Sequence, residues 1–163
     1  MKNTNLEFED IIGRYFNLKV KKQNYRIYVE EAGKGTPLLC LHTAGSDGRQ
    51  FRHILNDKKI TDNYRVIVFD LPWHGKSNPP EGYELNDYKL TTDLYKQIIM
   101  SFCEQYELKS PVIMGCSMGG RVVLHLALEQ GNYFRAVIAL EGADKLEPYY
   151  DLDWLYRPDV HGG

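Results

Sequence analysis

Four short apolar runs, each closing on a turn-forming stretch, constrain this chain more than anything else in it. Pro37 to Leu41 opens into His-Thr-Ala-Gly-Ser-Asp-Gly, and Arg65 to Phe69 closes on Asp70-Leu-Pro. Pro111 to Met114 closes on Gly115, and Ala136 to Leu140 closes on Glu141-Gly-Ala-Asp. Continuous apolar runs of this length are the mark of strands buried on both faces. Ahead of them, residues 25 to 31 (Tyr-Arg-Ile-Tyr-Val-Glu-Glu) alternate, which predicts a half-exposed strand ended by Ala32, Gly33 and Gly35. Between the runs the spacing turns helical. Tyr88 to Tyr106 carries apolar residues at 90, 94, 95, 98, 99 and 102, and Met118 to Glu129 carries Val122, Val123, Leu126 and Ala127. Phe51 to Leu55 predicts a short helix. Strand, loop and helix in repeated order predict an α/β protein with a mainly parallel sheet and flanking helices. Right-handed crossovers then bring the strand-end loops to one rim, where ligand chemistry in open α/β sheets is found.

Composition removes several function classes. Of the 163 residues, 20 are Lys or Arg and 22 Asp or Glu, a net charge of -2, with 43% hydrophobic and 26% charged. That excludes a polybasic nucleic-acid binder and a highly charged disordered chain. The cluster Lys19, Lys21 and Lys22 reads as a solvated face. No apolar run approaches the roughly 18 residues of a membrane span. Met1 to Asp10 has neither a basic nor an apolar leader region, so the expected location is cytoplasmic, without nucleic-acid or membrane partners. Cys40, Cys103 and Cys116 are odd in number, lie in apolar surroundings and form no C-x-x-C pair, so buried free thiols are expected. No two histidines have a metal-ligand spacing, and no metal or cofactor is expected. The length suggests one domain over 1–163.

The stretch Gly115-Cys116-Ser117-Met118-Gly119-Gly120 follows an apolar strand and opens an amphipathic helix. A serine there sits in a sharp strand-to-helix turn that needs small residues on both sides. Gly115 and Gly119 supply the clearance, so the Ser117 hydroxyl projects above the sheet as a nucleophile. The Met118 N–H at the helix start then faces any oxyanion that attack by Ser117 forms. A dinucleotide-binding loop is disfavoured, because G-x-G-x-x-G needs glycine at 117.

A second stretch, His42-Thr43-Ala44-Gly45-Ser46, follows an earlier strand, and a third, Asp70-Leu-Pro-Trp-His74-Gly75-Lys-Ser77, follows the next. Together the three resemble the N-terminal half of an α/β-hydrolase, in family order over about residues 25 to 143. The resemblance implies that Ala44, two residues after His42, gives the second oxyanion N–H. It also implies that His42 is a structural loop residue and that Thr43 stands where glycine is usual. The third stretch resembles the family's D-x-P-G-H-G-x-S brace, with Trp73 in place of glycine. Asp70 and His74 are then loop-fixing residues, and Trp73 is expected to pack, with the lining of a substrate pocket as the alternative. Epoxide hydrolases and haloalkane dehalogenases are disfavoured, since they place Asp where Ser117 stands.

A serine hydroxyl needs a histidine base and a carboxylate to orient it, in the chain order Ser, Asp or Glu, His for this fold. Only 46 residues follow Ser117, so acid and base are expected to be missing from this chain. Glu141 and Asp144, after the fourth apolar run, and His161, two residues from the end, are weak candidates. His125, on the helix after Ser117, reads as packing or surface. The aromatic tail resembles the start of a cap, over 145–163. A family domain takes about 250 residues, so the chain is expected to be truncated before the last strands, with Phe134 to Leu140 left as an exposed edge. A complementary C-terminal chain is then one expected partner. The preferred reading is a serine hydrolase acting on a small-molecule ester or related acyl substrate. The alternatives are an inactive truncated relative that serves as a binding module, and a carbon–carbon bond hydrolase or perhydrolase of the same fold.

Overall fold

The computed structural model describes residues 8–85 and 89–142. The six strands are β1 (Ile12–Val20), β2 (Gln23–Gly33), β3 (Thr36–Leu41), β4 (Tyr64–Phe69), β5 (Val112–Cys116) and β6 (Ala136–Leu140). They form one sheet in the order β1-β2-β4-β3-β5-β6. β3 pairs in parallel with both β4 and β5, and β5 with β6. β2 is antiparallel to β1 and to β4, so the sheet is mainly parallel with an antiparallel flank.

The apolar runs are continuous because their strands are covered twice. Leu39, Leu41, Ile67, Phe69 and Ile113 belong to one core cluster. Their neighbours Leu38, Cys40, Val66, Val68, Val112 and Met114 belong to another on the opposite face. The first face is closed by α3 (Thr92–Gln105) and α4 (Met118–Gln130), through Ile98, Ile99, Phe102, Val122, Val123 and Leu126. The second is closed by a 3-10 turn at Gly48–Phe51 and the short α1 (Arg52–Asn56), through Phe51 and Leu55, with α2 (Lys58–Thr61) beside them. The Thr91 hydroxyl caps α3 by accepting the Leu94 N–H at 3.2 Å. That sets the helix start later than the Tyr88 read from periodicity; residues 86–88 lie outside the described ones.

One strand escaped the sequence reading. β1 presents its first four residues to solvent, Ile12 and Tyr15 among them, and only Phe16, Leu18 and Val20 turn toward the core. Its alternation is therefore legible over half its length. The hairpin to β2 turns through Lys21 at φ 54°, a conformation usually signalled by Gly or Asn. Strand, loop and helix thus repeat only from β3 onward. Lys19, Lys21 and Lys22 are exposed there, as expected.

At the other end, Val137 and Ala139 pack on the first cluster, while Ile138 and Leu140 are 39% and 43% exposed. Among the described residues β6 is thus an edge strand with one bare apolar face. Cys40 and Cys103 are buried free thiols, and burial pushes both up to about 12; Cys116 is a half-buried free thiol. The stretch 145–163, expected to begin a cap, lies outside the described residues, as do Asp144 and His161.

Candidate active site

Ser117 joins the end of β5 to the start of α4 at φ 53° and ψ −109°. An L-residue is strained there. The turn is held from both sides: the Ser117 N–H donates to the Leu140 carbonyl at 2.8 Å, and the Ser117 carbonyl accepts the Arg121 N–H at 2.8 Å. Serine at a helix N-cap ordinarily spends its hydroxyl on an N–H of the first turn. Here the backbone is not extended and no side-chain cap forms, so helix capping does not consume the Ser117 hydroxyl.

The flanking glycines are steric requirements. A Cβ on Gly115 would run into the Gly119 carbonyl, and one on Gly119 would lie 2.5 Å from the Leu41 carbonyl oxygen. Gly120 is a third such position, missed in the sequence: its Cβ would lie 2.7 Å from the Leu140 carbonyl oxygen and 3.0 Å from the Gly142 Cα. Backbone from β3, β5, β6 and α4 therefore meets around Ser117. Met118 is the first residue of α4, and its N–H is one of those that a helix leaves without an intrahelical acceptor.

Ala44 lies in an exposed turn after β3, closed by the Ser46 N–H on the Thr43 carbonyl at 3.3 Å. The left-handed residue of that turn is Gly45, at φ 66°, so the turn accepts Thr43 without strain at that position. The Thr43 N–H donates to Gln50 Oε1 at 2.9 Å. His42, fully buried, accepts the Leu71 N–H at Nε2, 3.1 Å, so its other nitrogen carries the proton and donates to the Thr43 carbonyl at 2.9 Å. Burial, the largest influence, pulls its pKa below 6.5; His74 adds to the lowering, and the Thr43 carbonyl, Asp70 and Asp47 oppose it. A neutral imidazole with both nitrogens engaged joins two loops and is not placed to act as a base.

The loop after β4 is organised by one carboxylate. Asp70 Oδ1 accepts the Gly48 N–H and Oδ2 the Lys76 N–H, both at 2.7 Å, and its carbonyl accepts the Ser77 hydroxyl at 2.6 Å. Ser77 Oγ in turn accepts the Tyr28 N–H at 2.8 Å, which ties the loop to β2. His74 Nδ1 lies 3.0 Å from the Pro72 carbonyl, and its ring is 5.0 Å from that of His42. Asp47 braces the neighbouring turn; hydrogen bonds from Arg49 hold its carboxyl down at about 2. Trp73, at φ 69°, packs its ring edge to face against Tyr83 with centroids 5.0 Å apart, and 47% of its surface stays exposed.

Glu141 follows β6 directly, exposed and left-handed at φ 50°, one residue beyond the carbonyl that anchors Ser117. His125 is half-buried on α4. Among the described residues no three His, Cys, Asp or Glu side chains are grouped to hold a metal ion. A cavity of about 650 Å³ lined by Phe8, Ala32, Lys34, Leu55 and Thr61 opens at the amino ends of the parallel strands, on the side of the sheet away from Ser117. The serine turn and the His42 and Asp70 loops all leave the carboxyl ends, on one rim.

A mainly parallel sheet in this strand order, with a strained serine turn at the carboxyl end of β5, defines an α/β protein of the hydrolase type. A family model described as "alpha/beta hydrolase fold" matches residues 36–159, and the chain belongs to that family. It is 34% identical over 95 residues to the magnesium-chelatase 30 kDa subunit of Rhodobacter capsulatus, covering 58% of this chain and 31% of that one. Over 119 residues it is 24% identical to the pimeloyl-[acyl-carrier protein] methyl ester esterase of Vibrio cholerae, covering 73% and 42%. The crystal structure of a putative aryl esterase from Burkholderia cenocepacia superposes with a TM-score of 0.69 at 23% identity, over 83% of this chain and 49% of that one. The chain therefore spans less than half the length of each. Among the described residues no helix is long and apolar enough to cross a membrane.

Proposed function

We propose that this chain carries the nucleophile and oxyanion hole of a serine esterase acting on a small-molecule ester or related acyl compound. The observation that carries the reading is the serine turn: Ser117 is held in a strained conformation by two backbone hydrogen bonds, with its hydroxyl unspent on the helix. In the proposed reaction Ser117 Oγ bonds to the acyl carbon and its proton passes to a histidine base. The carbonyl electrons move onto oxygen, where the N–H groups of Met118 and Ala44 receive the charge. A donor of this kind is typically worth ~10²–10³ in rate. The base and the carboxylate that orients it are not assigned among the described residues; Asp144 and His161, outside them, and Glu141, within them, are the weak candidates for these roles. Esterase chemistry is further supported by the methyl ester esterase and the aryl esterase among the similar proteins.

The test is labelling of the full chain by a fluorophosphonate, alongside hydrolysis of short p-nitrophenyl esters. Labelling is expected in the wild type and absent in Ser117→Ala; hydrolysis, which needs the histidine base as well, is expected to vanish in Ser117→Ala wherever the wild type shows it. Labelling or hydrolysis that persists in Ser117→Ala overturns the assignment. A non-catalytic binding module is the second reading, favoured by one observation: the buried His42 of this rim spends both ring nitrogens on loop backbone. It predicts no labelling in either protein.

A further inference from the structure

β6 ends the sheet, with β5 on one side and no described strand on the other. Its Leu140 carbonyl accepts the Ser117 N–H, so the backbone of Leu140 is turned into the sheet. A strand in a parallel pair turns alternate residues to each side. The N–H and C=O groups of Val137 and Ala139 are therefore directed to the open edge, where a further strand can take them up.

Charge is placed symmetrically along the same strand. Arg135 stands one residue before β6 and Glu141 one residue after it, both exposed and each three residues from Ile138. Among the described residues neither side chain has a hydrogen-bond or ion-pair partner. Between them Ala-Val-Ile-Ala-Leu carries no charge. On the face away from α4, Ala136, Ile138 and Leu140 are exposed.

Such a strand is self-complementary under a two-fold rotation. Antiparallel pairing with β6 of a second copy, centred on Ile138, sets Val137 against Ala139 of the copy and Ala139 against its Val137, with the free backbone groups facing one another. The same register sets Arg135 against Glu141 at each end and Ile138 against Ile138 at the axis. A shift of two residues, the smallest that keeps those backbone groups paired, separates both charge pairs. Opposite charges directly across a strand pair stabilise it, and like charges destabilise it.

We infer that this chain pairs with a second copy of itself through β6, in an antiparallel two-fold dimer centred on Ile138. The contact is isologous and closed, so assembly stops at two copies. Because the paired strands run in opposite directions, the two Ser117 rims open on opposite edges of the joined sheet.

The experiment measures molar mass by sedimentation velocity over a concentration series, on the full chain as wild type, Arg135→Glu, Glu141→Arg and an equimolar mixture of the two variants. The wild type is expected to approach twice the mass of the chain. Each variant alone sets like charges across both ends, and its dimer should weaken roughly 10- to 30-fold. In the mixture each copy supplies the charge that the other lacks, so the dimer should recover. A monomeric wild type, which leaves the edge to a chain of other sequence, overturns the inference; so does growth beyond two copies, or a mixture no stronger than its components. A second readout changes no charge. Ile138→Cys puts a thiol on the axis, where facing Cα atoms of a non-hydrogen-bonded pair are ~4.5 Å apart and suit a disulfide. Ala136→Cys puts one on the same face but off the axis. Diamide, which takes up the two thiol hydrogens, should cross-link Ile138→Cys well before Ala136→Cys. Equal cross-linking at the two positions, or none at either, overturns the inference even where a charge variant fails to fold.

Discussion

At φ 53° and ψ −109°, Ser117 occupies a conformation that glycine would adopt freely. The residue type there was selected against local backbone preference, and the strain on a non-glycine residue in such a region is worth about 1–3 kcal/mol. Ser117→Gly should relieve it, less the ~0.4–1 kcal/mol by which glycine loosens the unfolded chain. Ser117→Ala keeps the strain. The glycine variant is therefore expected to be more stable than the alanine variant by about 1 kcal/mol in urea denaturation, with both inert to a fluorophosphonate. Equal stabilities would mean that the turn stores no more strain than the ~0.4–1 kcal/mol that glycine costs through the unfolded chain. Gly115 and Gly119 are legible in the sequence for the same steric reason; Gly120 is not, because what crowds it is the Leu140–Gly142 backbone of another strand.

The loops after β3 and β4 act as one unit because His42 links them. Its pKa is lowered from 6.5, chiefly by burial. The folded state therefore holds it neutral at pH values where the unfolded chain has already bound a proton. Its contribution is complete above about 6.5 and is lost as the pH falls from there through the lower folded value. One proton gives a slope of up to ~1.4 kcal/mol per pH unit over that window. His42→Gln, which can still accept the Leu71 N–H, should show a shallower loss of stability than the wild type between pH 7 and 5. Parallel pH profiles of the two proteins would remove His42 as the source. Asp70 is the matching brace on the next loop, and its sequence setting already marked it as structural. The exposure of Trp73 could not be read that way, because an aromatic in a loop has no periodicity to show which side it faces.

Across the whole molecule, the helices cover both faces of β3, β4 and β5 but only one face of β6. Ile138 and Leu140 are 39% and 43% exposed on an edge strand among the described residues. An apolar face beside unpaired strand edges invites association between copies. Ile138→Lys, which points a charge from that face while Val137 and Ala139 keep their packing, should lower self-association in light scattering and leave the circular dichroism spectrum unchanged. Undiminished association would place the sticky surface elsewhere.

The sequence by itself determined the fold class, the central strands and the serine turn, because each has a local cause. Double burial makes a strand uniformly apolar, helix packing imposes a three-to-four spacing, and a tight turn excludes side chains. The antiparallel flank escaped, since β1 offers the core only Phe16, Leu18 and Val20 and turns through a lysine. Only the tertiary structure decided that Leu140 anchors Ser117, that His42 spends both nitrogens on loop backbone, and that Trp73 stands exposed on the rim. Apart from the bond between His42 and its neighbour Thr43, those features depend on residues distant in sequence, largely through backbone groups that every residue type shares. No pattern of side chains along the chain could announce them.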